Sequence, residues 1–352
     1  MVTDGRGVCT QMSARFAPVL PLLAVCVSAF FFSFQPLFAN MLEGRIPSFE
    51  LVVVRGITQF LITLVMIRRK HGTWALEVTF GKRTVVPWLI LRGVVGFGGL
   101  GFGLYASQLL PLADAQTLVF TAPVFTVLVS WLWLRERPRL MEILALVISM
   151  SGAVLVTRPS FLFGGTGTPA LPMFGVLIAL YAACCAGAVF PIVRHLGSLK
   201  VDELLIIHYQ ALLGFIVAVP CLFATGQIEF ARMPRDAFEW AVLSAIGPLG
   251  FIAQSFMVWG MSRERSGPAS AMRLWDVVFS FIWQATLLSG EPLLWQDIAG
   301  GSLVALGTLT GVGYKMYNSR SNAPGMGVQD GKLDAALLGE DMSTPVSCPA
   351  QV

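Results

Sequence analysis

The sequence predicts an all-α polytopic membrane protein, ten transmembrane helices built as two inverted five-helix repeats. Three observations carry this: the composition, a recurrence 155 positions apart, and the placement of the basic residues. The 352-residue chain is 55% hydrophobic and only 12% charged, with a mean hydropathy of +0.73. Water-soluble proteins carry about 25% charged residues, so a soluble surface cannot be assembled from so few. Alternating segments of the barrel type are absent. The spans are therefore helices, which satisfy their own backbone hydrogen bonds inside hydrocarbon.

The recurrence is clearest in the stretch Pro111 to Pro159, two apolar helices joined by the charged turn Arg135-Glu136-Arg137-Pro138-Arg139. The stretch Ser266 to Tyr314 repeats it. At an offset of 155, Glu136 falls on Glu291, Leu132 on Leu287, Gly152 on Gly307 and Pro36 on Pro191, with no gap. A fixed period of this kind marks internal duplication.

Taken in order, residues 1–17 form a polar tail. The run Pro18–Asn40 is too long for a signal-peptide core and lacks a small-x-small cleavage site, so it is read as a retained span. Spans follow at Ser48–Ile67, Val85–Gln108, Leu112–Leu134 and Leu140–Thr157, which complete a first repeat over 18–158. A linker, 159–172, leads into the second repeat, 173–317. Its spans are Met173–Val193, Glu203–Phe223, Ala237–Met261, Gly267–Ser289 and Trp295–Tyr317. Each is close to the ~20 residues needed to cross ~30 Å of hydrocarbon. The polar segment 318–352 is expected to be a disordered tail.

Charge sets the orientation. With a cytosolic N-terminus, 17 of the 24 Lys and Arg residues fall on the inner side. Arg45, Arg158, Arg232 and Arg235 fall outside, and Arg55, Arg92 and Arg273 lie within helices. This is a positive-inside pattern, and both termini should be cytosolic. Five spans per repeat is an odd number, so the second copy enters the membrane upside down. Inverted halves of this kind are a recurring plan of secondary transporters.

The residues also carry a family resemblance. The five-plus-five plan, the stretch PLADAQTLVFTAPVFTVLVSWLWLRER and the following RPSFLFGG resemble the EamA-type drug/metabolite transporter superfamily. Within it, LRGVVG (Leu91 to Gly96) and GPASAMRLWDVVFSFIWQ (Gly267 to Gln284) are similar to solute carrier family 35, subgroup G. The likeness covers about residues 18–317. It implies a membrane carrier of small metabolites and leaves the cargo open. The ninth span departs from the fourth: Val278 stands where Pro123 would repeat, and Arg273 and Asp276 where Leu118 and Thr121 would.

Ionisable groups inside a bilayer are costly and mark functional sites. Arg273 and Asp276 share a helix face, which Ser280 and Gln284 extend. That stripe reads as the wall of a polar cavity, or else as an ion pair helping Arg273 snorkel to the cytosolic side. Arg92 precedes Gly96, Gly99 and Gly103 on one face, and the offset sets Gln254 opposite Gly99. Arg55 has Gln59 one turn on, and its repeat counterpart is Gln210, beside His208. The alternative for Arg55 and Arg92 is structural pairing with Asp114 or a helix C-terminus. Three arginines against Asp114 and Asp276 leave one spare positive charge, so the expected substrate is a small organic anion, which guanidinium binds in bidentate fashion. Asp276 and His208 are the candidate carriers of a coupling proton.

Other readings are weaker. Gly96 to Gly101 satisfies GxGxxG but lies inside an apolar span with no preceding strand. Six cysteines form no CxxC pair and no Cys/His ligand spacing, so no metal or other cofactor is expected. No nucleophilic or phosphate-binding constellation suggests an enzyme, and nothing suggests nucleic acid. Glu136 reads as a loop anchor. Gly307 and Gly311 form a GxxxG face on the tenth span that could support a homodimer. The competing function is a transport-inactive scaffold or regulator binding another membrane protein. The lipid bilayer is the common partner of both readings, and the membrane of residence stays open.

Overall fold

A computed structural model describes residues 19–42, 45–72, 79–163, 171–229, 233–287 and 295–321. Both expected tails up to 18 and beyond 321, residues 164–170 of the 159–172 linker and Glu291 lie outside the described residues. Among the described residues the chain is helical throughout, without strands. The helices are α1 (Leu20–Phe32), α2 (Phe34–Met41), α3 (Ser48–His71), α4 (Val86–Leu109), α5 (Leu112–Val119), α6 (Ala122–Trp133) and α7 (Leu140–Thr157). They continue with α8 (Ser160–Phe163), α9 (Met173–Ser198), α10 (Glu203–Ala224), α11 (Ala237–Arg263), α12 (Ser266–Met272), α13 (Trp275–Leu287) and α14 (Trp295–Ser321). Among the described residues, eight stretches are long and apolar enough to cross a membrane. The segments expected as the ninth and tenth spans are α12 with α13, and α14, and they are not among those eight. α14 runs on through residues 318–321, where a tail was expected to begin.

Apolar side chains cover the outside, as hydrocarbon solvent requires. Leu132 is 67% exposed, Leu140 69%, Phe223 61% and Leu309 65%. Inside, Leu196, Ile206, Val258 and Met261 form the largest apolar cluster. Small residues bring helices close. Gly56 of α3 meets the carbonyl of Ala211 on α10, which is its own counterpart at the 155-residue offset.

The α7–α14 contact shows the same relation twice. A Cβ on Gly152 would stand 2.5 Å from the Gly300 carbonyl, and one on Gly307 would stand 2.6 Å from the Ala145 carbonyl. Positions 152 and 307, like 145 and 300, are repeat counterparts. Gly307 is thus occupied within the chain, and Gly311 also faces Ala145. Of the GxxxG face expected to support a homodimer, Gly307 packs against α7.

Side-chain bonds sort the connections into two ends. At the end where α1 begins, here called proximal, Lys70 binds Asp202 (2.7 Å), Arg263 binds Glu203 (2.5 Å) and Arg265 binds Glu142 (2.6 Å). Glu136 lies 3.6 Å from Arg194 there and anchors its loop to α9. At the distal end Arg158 binds Asp297 (2.7 Å), and Gln227 donates to Gln108 (2.8 Å).

Two spans expected as continuous helices are broken. Between α5 and α6 the Thr121 N–H donates to the Leu118 carbonyl at 3.2 Å, and between α12 and α13 the Asp276 N–H donates to the Arg273 carbonyl at 3.0 Å. These are i→i−3 bonds of a 3₁₀ turn, at positions that coincide under the offset. Pro123, with no N–H to give, accounts for the first break. The second has no proline and is tightened by 3₁₀ bonds from Arg273 to Ser270 and from Leu274 to Ala271. A third interruption separates α1 from α2 at Ser33, whose hydroxyl accepts from Trp283 Nε1 at 2.8 Å.

Candidate functional site

The three interruptions converge on a cavity of about 190 Å³ that α4, α9, α10 and α11 complete. Arg92, Gln210, Gln254, Arg273, Asp276 and Ser280, six positions singled out from the sequence, line it together. The cavity reaches Gly103 near the end of α4 and Gln116 near the start of α5, so it extends toward the distal end.

Arg92 is 1% exposed. Its Nη1 donates to Gln210 Oε1, and its Nη2 donates to Gln254 Oε1 at 3.3 Å. Gly96 is required beside it, because a Cβ there would collide with both the Arg92 and Gln210 side chains. Two amides soften a guanidinium without neutralising it, and Arg92 Nε is buried with no hydrogen-bond partner.

Arg273 Nη2 donates to Asp276 Oδ2 at 3.1 Å, while Arg273 Nη1 and Asp276 Oδ1 are buried and unpartnered. The Arg273 guanidinium stands 4.2 Å from the centre of the Phe32 ring, and Arg55 stands 5.8 Å from the same ring. One aromatic face cluster therefore holds two cations by cation–π attraction. Arg55 Nη1 donates to Gln35 Oε1 at 3.3 Å, and its Nε and Nη2 have no partner.

Asp114 does not join this group. It accepts from the Ser160 N–H and hydroxyl, both at 2.5 Å, and so ties the start of α5 to α8. Neither Arg55 nor Arg92 pairs with it, because amides reach them instead. The charge count changes accordingly: among the described residues, Arg55, Arg92 and Arg273 face Asp276 alone, leaving two spare positive charges where one was expected. Burying guanidinium donors without partners is costly.

The EamA-like transporter family model matches residues 19–158 and again 173–311. The chain belongs to the EamA-like transporter family. It is similar to human solute carrier family 35 member G1, 30% identical over 310 residues, covering 86% of this chain and 81% of that one. The pseudopaline exporter CntI of Pseudomonas aeruginosa is 32% identical over 287 residues, covering 81% of this chain and 93% of the exporter. An uncharacterised membrane protein of Saccharomyces cerevisiae is 29% identical over 328 residues, covering 87% and 78% of the two chains. A crystal structure superposes with a TM-score of 0.66 at 18% identity, over 82% of this chain and 96% of the other, which shows a shared fold. This is a multi-pass integral membrane transporter.

Not every expected residue of this EamA-like chain reaches the cavity. Arg55 and Gln59 stand behind it, both buried. His208 is fully buried on α10, its Nδ1 2.9 Å from the Thr63 hydroxyl and its ring 4.6 Å from that of Phe60. It packs in the protein and lines no part of the cavity. Gln284 belongs to α13, but its side chain lies outside the described residues. Sequence reasoning missed Gln35 and Gln116, both on the cavity wall. Each neighbours an interruption, and the signal available was the proline beside each break, Pro36 and Pro123.

Proposed function

We propose that this EamA-like chain is a secondary-active carrier of a small organic anion, working by alternating access between two inverted five-helix halves with both termini in the cytosol. The observation that carries the reading is the excess of buried guanidinium over carboxylate around the 190 Å³ cavity, with donors of Arg55, Arg92 and Arg273 left unpartnered. Four further observations support it. The family model matches twice, in tandem. The main packings, α4 on α9 and α1 on α11, exchange with one another when the two halves are swapped. Interrupted helices at equivalent depth frame the cavity, the arrangement by which inverted-repeat carriers expose helix ends to substrate. A relative at 32% identity is named as an exporter.

In this reading Arg92 and Arg273 bind the anion, Gln210, Gln254 and Ser280 orient it, and Arg55 with Gln59 sets the field behind them. Asp276 is the carboxylate positioned to exchange a proton as the anion displaces it from Arg273.

The test has two stages. The purified protein is screened against carboxylates, amino acids and nucleotide sugars for a rise in unfolding temperature, which any true ligand causes by mass action. Uptake of the strongest hit into proteoliposomes is then compared between the parent, Arg92→Gln and Arg273→Gln. Both variants should insert and elute normally yet lose uptake. Unimpaired uptake in both would sink the proposal, and indifference to an imposed pH gradient would remove Asp276 as the coupling group.

A further inference from the structure

We infer that a second chamber, at the proximal end, belongs to the same substrate path, and that the short helix α12 is the movable partition between it and the central cavity. The inference rests on the carrier reading above. The chamber encloses about 230 Å³ between α1, α7, α12 and α14. Met272 forms part of its wall, and the next residue, Arg273, lines the central cavity. A single layer of α12 thus separates two hollows. The seal itself is apolar: Leu22 and Met272 on the chamber side and Met257 on the cavity side belong to one cluster with Val25 and Ala269.

α12 has only seven residues and a bend at each end. Glu264 and Arg265 are extended, with φ/ψ of −116/158° and −65/142°. The far bend is the 3₁₀ turn at Arg273 and Leu274. A short rigid unit between two bends can swing with little loss of internal hydrogen bonding.

Two ion pairs hold it shut. Arg265 Nη1 donates to Glu142 Oε1 at 2.6 Å and its Nη2 to the Arg137 carbonyl at 2.8 Å, tying α12 to the start of α7. Lys315 donates to Glu264, tying it to the end of α14. All four ion-pair side chains line the chamber, and so does Arg139, 6.0 Å from the Tyr314 ring. Three cations against two carboxylates leave the chamber net positive. An organic anion arriving from the proximal side offers Arg265 and Lys315 the same charge-assisted bonds that Glu142 and Glu264 supply. Its binding therefore competes with the latch.

The distal end is built differently. The side chain of Asp297, at the position 155 residues on from Glu142, is 1% exposed, against 13% for that of Glu142. There the central cavity itself extends outward past Gly103 and Gln116.

The full-length protein, with its six cysteines replaced, is reconstituted with one reporter at a time. Ser280→Cys reports the central cavity and Gly311→Cys the chamber, each probed from either face with a membrane-impermeant thiol reagent. Ser280→Cys should react from the distal face and Gly311→Cys from the proximal face. Adding Glu142→Gln with Glu264→Gln should raise proximal-face reaction of Ser280→Cys about tenfold, within the usual range of coupling between linked sites. Separately, bridging Glu142→Cys to Arg265→Cys with a reducible cross-linker should stop anion uptake until reductant is added, a readout that holds even if the double Gln variant folds poorly. Unchanged labelling in a well-folded double Gln variant, or uptake at the parent rate after cross-linking, overturns the partition. Labelling needs no transport, so a partition that moves in a chain that takes up no anion counts against the carrier reading alone.

Discussion

Glu142 and Asp297, 155 positions apart, each occupy the first turn of a helix and each bind an arginine from another element, Glu142 with Arg265 at 2.6 Å and Asp297 with Arg158 at 2.7 Å. An acid in a first turn is favoured by the helix dipole in either copy. The arginines do not repeat: the counterparts of Arg265 and Arg158 are Leu110 and Gly313. The two ends of the bundle were therefore tied independently.

These two pairs should differ in strength. The Asp297 side chain is 1% exposed and that of Glu142 13%. Asp297→Ala leaves Arg158, itself 26% exposed, without its carboxylate and should cost about 1–3 kcal/mol, read as a lowered melting temperature in detergent. Glu142→Ala should cost less. The reverse order would show that burial does not govern the pair.

The α7–α14 seam depends on missing side chains. Gly152→Leu and Gly307→Leu each force atoms into a backbone carbonyl under 3 Å away. Each should destabilise by about 1–3 kcal/mol, and the pair together by less than the sum, because one helix displacement relieves both. Full additivity in denaturation midpoints would argue against a shared seam.

Arg92 and its two amides form a unit. Gln210→Leu removes one acceptor from a buried guanidinium and should cost about 1–3 kcal/mol, whereas Arg92→Leu with Gln210→Leu and Gln254→Leu should recover most of that. Uptake should not recover with stability. A triple variant that regained transport would remove Arg92 from the site.

Asp202 caps α10 at the proximal end, accepting from the Leu204 N–H at 3.1 Å, from Lys70 at 2.7 Å and pairing with His71 at 3.2 Å. Burial pushes its carboxyl up, but these bonds outweigh burial and hold it below its ordinary value of 3.8. A depressed carboxyl contributes stability that is present above 3.8 and is lost as pH falls through the folded value. Asp202→Ala should cost about 1 kcal/mol at pH 7 through the lost cap. The gap between variant and parent should narrow only in acid below 3.8, as melting curves across pH would show. A gap that narrowed above pH 5 would point to another group.

Legibility followed the physics of each feature. That hydrocarbon is the solvent was readable from 55% hydrophobic and 12% charged residues, because solvent acts on composition as a whole. Arg92, Arg273, Asp276, Gln210, Gln254 and Ser280 could be named in advance because a charge or amide inside an apolar run is conspicuous wherever the fold takes it. Asp114 was misassigned for the same reason: it is just as conspicuous, and only its bonds to Ser160 show that it serves a connection.

The second helix break was hidden. Val278 stands where Pro123 would repeat, yet 3₁₀ bonds at Arg273 and Asp276 reproduce the interruption without a proline. Such a turn depends on what packs around it.

By itself, then, the sequence determined the solvent and which polar groups are too costly to bury without purpose, since these follow from transfer energies. Tertiary structure decided which of those groups meet, that Gly307 serves α7, and that α12 stands between two hollows. Distance and direction between helices set those outcomes, and neither is written in the spacing of residues along one chain.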